Sequence, residues 1–164
     1  MKNKTQKIVL SSLLAALVCV ATMLIKVPSP LKGYVNLGDC VVLLSGWVLS
    51  PLYAFLTAGI GSALADIFSG YVIYAPVTFV IKGIMALICC YGVKMLKKKS
   101  IASRALSGVI AEVVMVGGYY IFEGFMYGFI ASAVNIPPNA VQGVFGILLG
   151  LMLIKVFEKS DIAK

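Results

Sequence analysis

Long apolar runs, separated by short polar or proline- and glycine-rich segments, dominate the pattern of this chain. Runs of about 17 to 25 mainly apolar residues can cross the hydrocarbon core of a bilayer as helices. The pattern predicts six such helices, at about residues 8–25, 39–49, 51–68, 76–93, 105–131 and 138–157. The second run is short for a membrane span, so this helix is expected to be tilted or partly re-entrant.

Charge decides whether residues 39–68 form one kinked helix or two. Basic residues cluster before the first run and again after Tyr91, and the positive-inside rule places both clusters in the cytoplasm. An even number of crossings must then separate the clusters, which requires two helices. Ser50-Pro51 supplies a helix start at the right place, because serine caps helices and proline suits their first turn. The prediction is therefore six helices with both termini cytoplasmic.

The composition excludes a soluble domain. The chain is 61% hydrophobic and 12% charged, with a mean hydropathy of +1.03, and in water it would expose far too much apolar surface. We expect residues 1–164 to form a single all-α integral membrane domain. The net charge of +8 does not indicate nucleic-acid binding, because the basic residues lie between apolar runs and not on one amphipathic face.

The sequence lacks the usual catalytic and metal-binding patterns. It contains no histidine, and its four cysteines form no CxxC pair, which disfavours a zinc site or a disulfide framework. A Walker A motif is absent, so the chain is not expected to hydrolyse ATP by itself. No nucleophile is placed beside a base. We therefore predict neither an enzyme nor a bound cofactor.

One lysine lies inside a predicted span. Pro76 fits the first turn of the fourth helix, and Lys82 follows about 9 Å deeper at about 1.5 Å per residue. A charge facing lipid there would cost roughly 2.5–3.5 kcal/mol or more. Lys82 is therefore expected to face protein, water or a ligand. A structural salt bridge, a side chain reaching to the surface and a functional pocket all remain open.

Polar residues of several predicted spans fall at a similar depth near the outer surface. On the fifth span Tyr119 and Glu123 share one face, with Glu112 in the inner half of the same face. The outer set is completed by residues of the other spans: Asn36, Asp39, Asp66, Lys82, Asn139 and Gln142. Such a pocket suits a small, flat, polar ring compound. Alternatively, Glu123 pairs with Lys82, Asp66 has a structural role near the first loop, and Glu112 pairs with a basic residue at the cytoplasmic end.

Two further segments have candidate roles. The loop at 26–38 contains two prolines and two glycines, and its length favours a lid or gate over a simple connection. In the first span, Ser11, Ala15 and Cys19 recur every four residues as a stripe of small side chains. Such a stripe lets another helix approach closely, either a partner protein or a helix of the same chain.

The chain resembles the substrate-binding S components of energy-coupling factor (ECF) vitamin transporters. The resemblance covers nearly all of it and lies in the six spans, the small-residue stripe and three motifs. These motifs are Gly33-Tyr-Val-Asn-Leu-Gly-Asp39, Gly61-Ser-Ala-Leu-Ala-Asp66 and Tyr74-Ala-Pro-Val-Thr-Phe-Val-Ile-Lys-Gly83. They are similar to the branch described as riboflavin, pyridoxine or hydroxymethylpyrimidine transporters.

The resemblance implies a multi-pass protein of a bacterial plasma membrane that captures a vitamin outside and releases it inside by toppling. It implies a membrane coupling (T) protein and two cytoplasmic ATPases as partners, and the first loop as a lid. The implied substrate-binding residues are Tyr34, Asn36, Tyr74, Lys82, Tyr119, Glu123, Asn139 and Gln142. The implied contacts with the coupling protein are Ser11, Ala15 and Cys19, although serine and cysteine replace alanines of the family motif.

The polar groups favour a vitamin B6 form or hydroxymethylpyrimidine. Glu123 can accept a hydrogen bond from an aminopyrimidine or a pyridinium nitrogen, and Lys82 can meet a phenolate or carbonyl oxygen. Riboflavin or a queuosine precursor is the alternative within the same family. Outside it, Glu112 and Glu123 could relay protons in a self-sufficient permease, or the chain could be a membrane scaffold without a ligand.

Overall fold

The computed structural model describes residues 3–30, 33–96 and 100–160, and within these ranges the chain is a helical bundle with one β-hairpin. The elements are α1 (Lys4–Leu24), β1 (Lys26–Ser29), β2 (Gly33–Asn36), α2 (Asp39–Val48), α3 (Pro51–Phe68), α4 (Ala75–Met95), α5 (Ile101–Tyr127), the short α6 (Phe129–Ser132) and α7 (Ile136–Lys159). Among the described residues, five helical segments are long and apolar enough to cross a membrane, and α2 is a shorter apolar helix. The predicted all-α membrane fold is confirmed. Of the basic residues that set the orientation, Lys2, Lys97, Lys98 and Lys99 lie outside the described ranges, as does Lys32 of the first loop.

Prolines and one glycine set several helix boundaries. Pro51 and Pro76 each lie in the first turn of their helix, where the missing N–H is no loss. The fifth helix ends at Tyr127, because Gly128 adopts a φ of 92° that favours glycine. The predicted span at 105–131 is therefore divided into α5 and the short α6.

The first loop is a β-hairpin. β1 and β2 pair antiparallel, with Val27 opposite Val35 and Pro28 opposite Tyr34. Valine and tyrosine favour extended backbone, whereas the two prolines prevent a helix. The hairpin lies against the outer end of α3, where the ammonium of Lys26 donates to Ser69 Oγ at 2.8 Å.

The short second helix is the centre of the bundle. Nine of its ten residues, Asp39 to Trp47, are buried, and it contacts α1, α3, α4, α5 and α7. A helix that is apolar on every side is stable when other helices enclose it. Its length of 10 residues is therefore acceptable, because it need not present a full apolar span to lipid.

Close contact between α1 and α3 depends on Gly61. A Cβ atom at this position would lie 2.5 Å from the carbonyl oxygen of Ala15 and 2.8 Å from Cβ of Val18. Thr57 Oγ1 also donates to the carbonyl oxygen of Ser11 at 3.3 Å. The backbone of the small-residue stripe therefore packs within the chain, as small residues allow in membrane helices.

We predict that Gly61→Ala lowers the free energy of unfolding by about 1–3 kcal/mol, because the added methyl group meets backbone that cannot yield easily. Thermal unfolding of the detergent-purified protein measures this loss. Gly117→Ala is the matched control, since a Cβ atom there would lie more than 4 Å from the atoms of every other described element. Equal melting temperatures for the two variants would contradict close packing at Gly61.

Candidate functional site

A small cavity lies at the outer end of the bundle beneath the hairpin. Its volume is about 40 Å³. It is lined by Ser29, Gly33, Tyr34, Asn36, Asp66, Tyr71, Tyr74, Thr78, Tyr119, Glu123, Asn139 and Gln142. These residues come from the hairpin and from helices far apart in sequence, and four of them are tyrosines. We call this space the outer cavity.

Tyr34 fastens one side of the hairpin to α3. Its hydroxyl donates to Asp66 Oδ1 at 2.6 Å, and its ring lies 4.9 Å from that of Tyr71. Burial, together with the neighbouring carboxylate of Asp66, raises the pKa of the Tyr34 phenol above its usual range. The phenol therefore stays protonated at neutral pH and keeps this hydrogen bond. The second carboxyl oxygen, Asp66 Oδ2, is buried and has no hydrogen-bond partner among the described residues.

A chain of hydrogen bonds fastens the other side of the hairpin to the core. The backbone N–H of Asn36 donates to Gln142 Oε1 at 2.8 Å, and Gln142 Nε2 donates to Asp39 Oδ2 at 2.6 Å. The other oxygen of Asp39 accepts from the ammonium of Lys82. Because a carboxylate only accepts, Asp39 fixes which way the Gln142 amide points. We call this chain the Asn36–Lys82 relay.

Lys82 lies beneath the outer cavity and is not among its lining residues. It is 3% exposed and forms an ion pair with the fully buried Asp39. Its ammonium also lies 5.6 Å from the centre of the Tyr119 ring, as in a cation–π contact. Of the readings open for Lys82, the structure shows the structural salt bridge.

Glu123 is held by neutral groups, so the alternative in which it pairs with Lys82 is wrong. It accepts from Asn135 Nδ2 at 2.8 Å and from the hydroxyl of Tyr74 at 3.4 Å. Its carboxylate lines the outer cavity although the side chain is 3% exposed. A carboxylate held by amide and phenol donors keeps the capacity to accept further hydrogen bonds from a ligand.

Most of the expected binding residues meet at this cavity. Seven of the eight line it, namely Tyr34, Asn36, Tyr74, Tyr119, Glu123, Asn139 and Gln142. The sequence analysis did not include Asp66, Tyr71 or Thr78 among the binding residues, although all three line the cavity. Their signals were present: Asp66 ends the motif starting at Gly61, and Tyr71 precedes the motif starting at Tyr74.

Glu112 has a different neighbourhood from the one expected. Among the described residues Glu112 forms no ion pair with a basic residue at the cytoplasmic end, and Arg104 pairs instead with Glu158 at 2.5 Å. Both carboxyl oxygens of Glu112 are buried and lack a hydrogen-bond partner among the described residues. A Cβ atom on Gly146 would lie 2.8 Å from Glu112 Oε1 and 2.9 Å from Cβ of Asp39. The glycine thus lets α7 approach this region closely.

In the described residues no group of three or more acidic, cysteine or histidine side chains could hold a metal ion.

Comparison with known proteins assigns the chain to a transport family. The family model described as the S component of an ECF-type riboflavin transporter matches residues 2–159. The chain belongs to this S-component family. The identification confirms the sequence-based resemblance to ECF S components, which are multi-pass proteins of the bacterial plasma membrane. The S component is a transport subunit and not an enzyme.

Individual relatives agree with this assignment. An uncharacterized protein of Pyrococcus woesei is 36% identical over 135 residues, which is 81% of this chain and 88% of that protein. The thiamine precursor transporter HmpT of Lactococcus lactis subsp. cremoris is 26% identical over 172 residues, covering 99% of this chain and 94% of the relative. A solved S component of a bacterial ECF transporter superimposes with a TM-score of 0.78 over 96% of this chain and 98% of that chain. At 22% identity the solved structure shows the shared fold.

Proposed function

We propose that this S component captures hydroxymethylpyrimidine or a closely related amino-substituted ring compound. The observation that carries the proposal is the pair of carboxylates on the cavity wall, Asp66 and Glu123, with no lysine or arginine among the described residues that line it. The ligand must therefore supply hydrogen-bond donors to these carboxylates. A ring with an exocyclic amino group and a protonated nitrogen supplies them.

The ion pair beneath the cavity favours an aminopyrimidine over vitamin B6. A pyridoxine phenolate would need a cation, and Lys82 is already bound to Asp39. By contrast, Asp66 Oδ2 is buried without a partner among the described residues and can accept from an amino group. The relative HmpT, whose name describes a thiamine precursor transporter, supports the same substrate class.

Riboflavin is the second candidate, because the family model names it and because four tyrosine rings line the cavity. The small volume of the outer cavity favours the pyrimidine over the larger riboflavin. The outer cavity measures about 40 Å³, whereas pockets for drug-sized ligands are roughly 300–1,000 Å³. Any ring compound therefore requires the hairpin or the tyrosines to move, and a three-ring flavin requires a larger movement than a pyrimidine.

We propose that the hairpin acts as a lid, and the same contacts support this role. It opens when the Tyr34–Asp66 bond and the Asn36–Gln142 bond break, and it re-forms both over the ligand. We further propose that a coupling protein contacts the stripe of Ser11, Ala15 and Cys19 from the lipid side. Two cytoplasmic ATPases would then drive toppling of the bundle and release of the ligand inside.

A thermal-shift series with the purified protein tests the substrate. Hydroxymethylpyrimidine, pyridoxine, thiamine and riboflavin are compared, and a ligand at 100 times its Kd adds about 2.7 kcal/mol of stability. We expect hydroxymethylpyrimidine to stabilise the protein at a lower concentration than the other three compounds. Stabilisation by riboflavin alone would overturn the aminopyrimidine assignment. No shift with any compound would favour the scaffold alternative.

Uptake in cells tests the partners. We expect accumulation of the substrate when the chain is produced together with a coupling protein and its ATPases. Ligand binding without accumulation is expected when the chain is produced without them. Accumulation by the chain alone would favour the proton-coupled permease.

A further inference from the structure

Two neighbouring cavities share no lining residue with the outer cavity. An apolar groove of about 550 Å³ runs between α1 and α3. It is lined by Ile8, Ser11, Ser12, Ala15, Ala16, Cys19, Val20, Tyr53, Leu56, Thr57, Ile60, Leu64 and Phe68. A second cavity of about 240 Å³ is lined by Lys7, Val48, Leu49, Ser50, Tyr53 and Lys94. Tyr53 lines both, so the two spaces adjoin. We call them the α1–α3 groove and the basic cavity.

The basic cavity contains two positive charges and no carboxylate in its lining. Lys7 comes from α1 and Lys94 from the last turn of α4. Neither lysine takes part in an ion pair with another described residue. The Lys94 ammonium lies 5.4 Å from the centre of the Tyr91 ring, and the hydroxyl of Ser50 does not cap its own helix. Two ammonium groups and a hydroxyl therefore face a space suited to an anion.

The depth of these cavities in the membrane identifies the kind of anion. The positive-inside rule places Lys7 and Lys94 at the cytoplasmic surface. From there the groove follows α1 from Ile8 to Val20, about 18 Å, and α3 from Tyr53 to Phe68, about 22 Å, at about 1.5 Å per residue. This length exceeds half of a hydrocarbon core of about 30 Å and accommodates an extended acyl chain. An anionic site at one end of an apolar groove of that length fits a phosphate headgroup and its acyl chain.

We propose that the basic cavity and the α1–α3 groove together bind one anionic phospholipid of the cytoplasmic leaflet. Its phosphate contacts Lys7, Lys94 and Ser50, and one acyl chain lies against Ala16, Val20 and Leu64. The groove includes Ser11, Ala15 and Cys19, the residues proposed above to contact the coupling protein. Lipid and coupling protein therefore exclude one another on this face. The lipid site itself does not depend on which vitamin the protein carries.

Native mass spectrometry of the delipidated full chain, titrated with phosphatidylglycerol or phosphatidylcholine, tests the proposal. We expect phosphatidylglycerol to bind more tightly than phosphatidylcholine of the same chain length. The double variant K7Q/K94Q should bind phosphatidylglycerol about 25-fold more weakly, since each lysine near an anionic headgroup contributes about fivefold. Lys155→Gln is the matched control, because Lys155 is an exposed lysine at the cytoplasmic end of α7, outside both cavities.

A groove variant separates lipid from free anion. Ala16→Phe places a ring in the α1–α3 groove at an exposed position and leaves both lysines in place. We expect it to weaken phosphatidylglycerol binding severalfold with an unchanged melting temperature, and we expect glycerol phosphate at equal concentration not to compete. The proposal is overturned if K7Q/K94Q binds phosphatidylglycerol like the wild type, if the two lipids bind equally, or if glycerol phosphate displaces the lipid.

Discussion

Replacing Lys82 with methionine is expected to destabilise the protein by about 3–5 kcal/mol, because the buried carboxylate of Asp39 would lose its counter-charge. Asp39 is fully buried and Lys82 is 3% exposed, so water cannot replace the lost partner. The change also removes one end of the Asn36–Lys82 relay, which loosens the hairpin. Equilibrium unfolding in detergent measures the loss of stability, and proteolysis of the hairpin measures the loosening.

Two further variants distinguish the loss of the ion pair from the general effect of replacing a lysine. In K82M/D39N both charges are removed, and we expect most of the lost stability to return, because no unpaired charge remains buried. Lys26→Met is the matched control, since Lys26 is exposed and its ammonium contacts the Ser69 hydroxyl and the Tyr34 ring and takes part in no ion pair with another described residue. We expect Lys26→Met to lower the free energy of unfolding by no more than about 0.5 kcal/mol. Full stability of Lys82→Met would mean that the pair contributes nothing to folding.

Replacing Glu123 with glutamine is expected to weaken binding of hydroxymethylpyrimidine by about ten- to a hundredfold. A hydrogen bond to a charged group contributes about 1.5–3 kcal/mol, and each 1.4 kcal/mol corresponds to tenfold in Kd. Glutamine keeps the size of the side chain and an oxygen that can accept from Asn135, so the fold should remain intact. Isothermal titration calorimetry of the purified variant measures the change in Kd.

Glu112→Gln is the matched control for this experiment. The substitution is chemically the same and lies on the same helix, but Glu112 is not among the residues that line the outer cavity. We expect its Kd to equal that of the wild type. A similar loss of affinity in both variants would indicate a general effect of removing a buried acid. An unchanged Kd in Glu123→Gln would exclude Glu123 from ligand binding.

The residues that line the outer cavity were predicted better than their hydrogen-bond and ion-pair partners. Tyr119 and Glu123 share a helix face by spacing alone, and the loop motif with Tyr34 and Asn36 follows from the resemblance. The partner of Lys82 could not be read in the same way. Asp39 lies 43 positions earlier in the chain, directly after the first loop, and an acid there could equally belong to the lid. Glu123 likewise takes Asn135 as a partner, which lies between the predicted spans at 105–131 and 138–157.

The sequence by itself predicted the all-α membrane fold, the family and, through the positive-inside rule, an orientation with both termini cytoplasmic. Each of these depends on local or summed properties: apolar runs long enough for a bilayer, prolines such as Pro51 and Pro76 at helix starts, and lysines at one surface. The tertiary structure alone decided that α2 is enclosed by five other helices, that Lys82 pairs with Asp39, and that the hairpin is fastened on two sides. These features depend on which helix faces contact one another. That choice is made by close packing at residues such as Gly61 and Gly146 and by the high cost of an unpaired buried charge, and neither is visible in the spacing of residues along the chain.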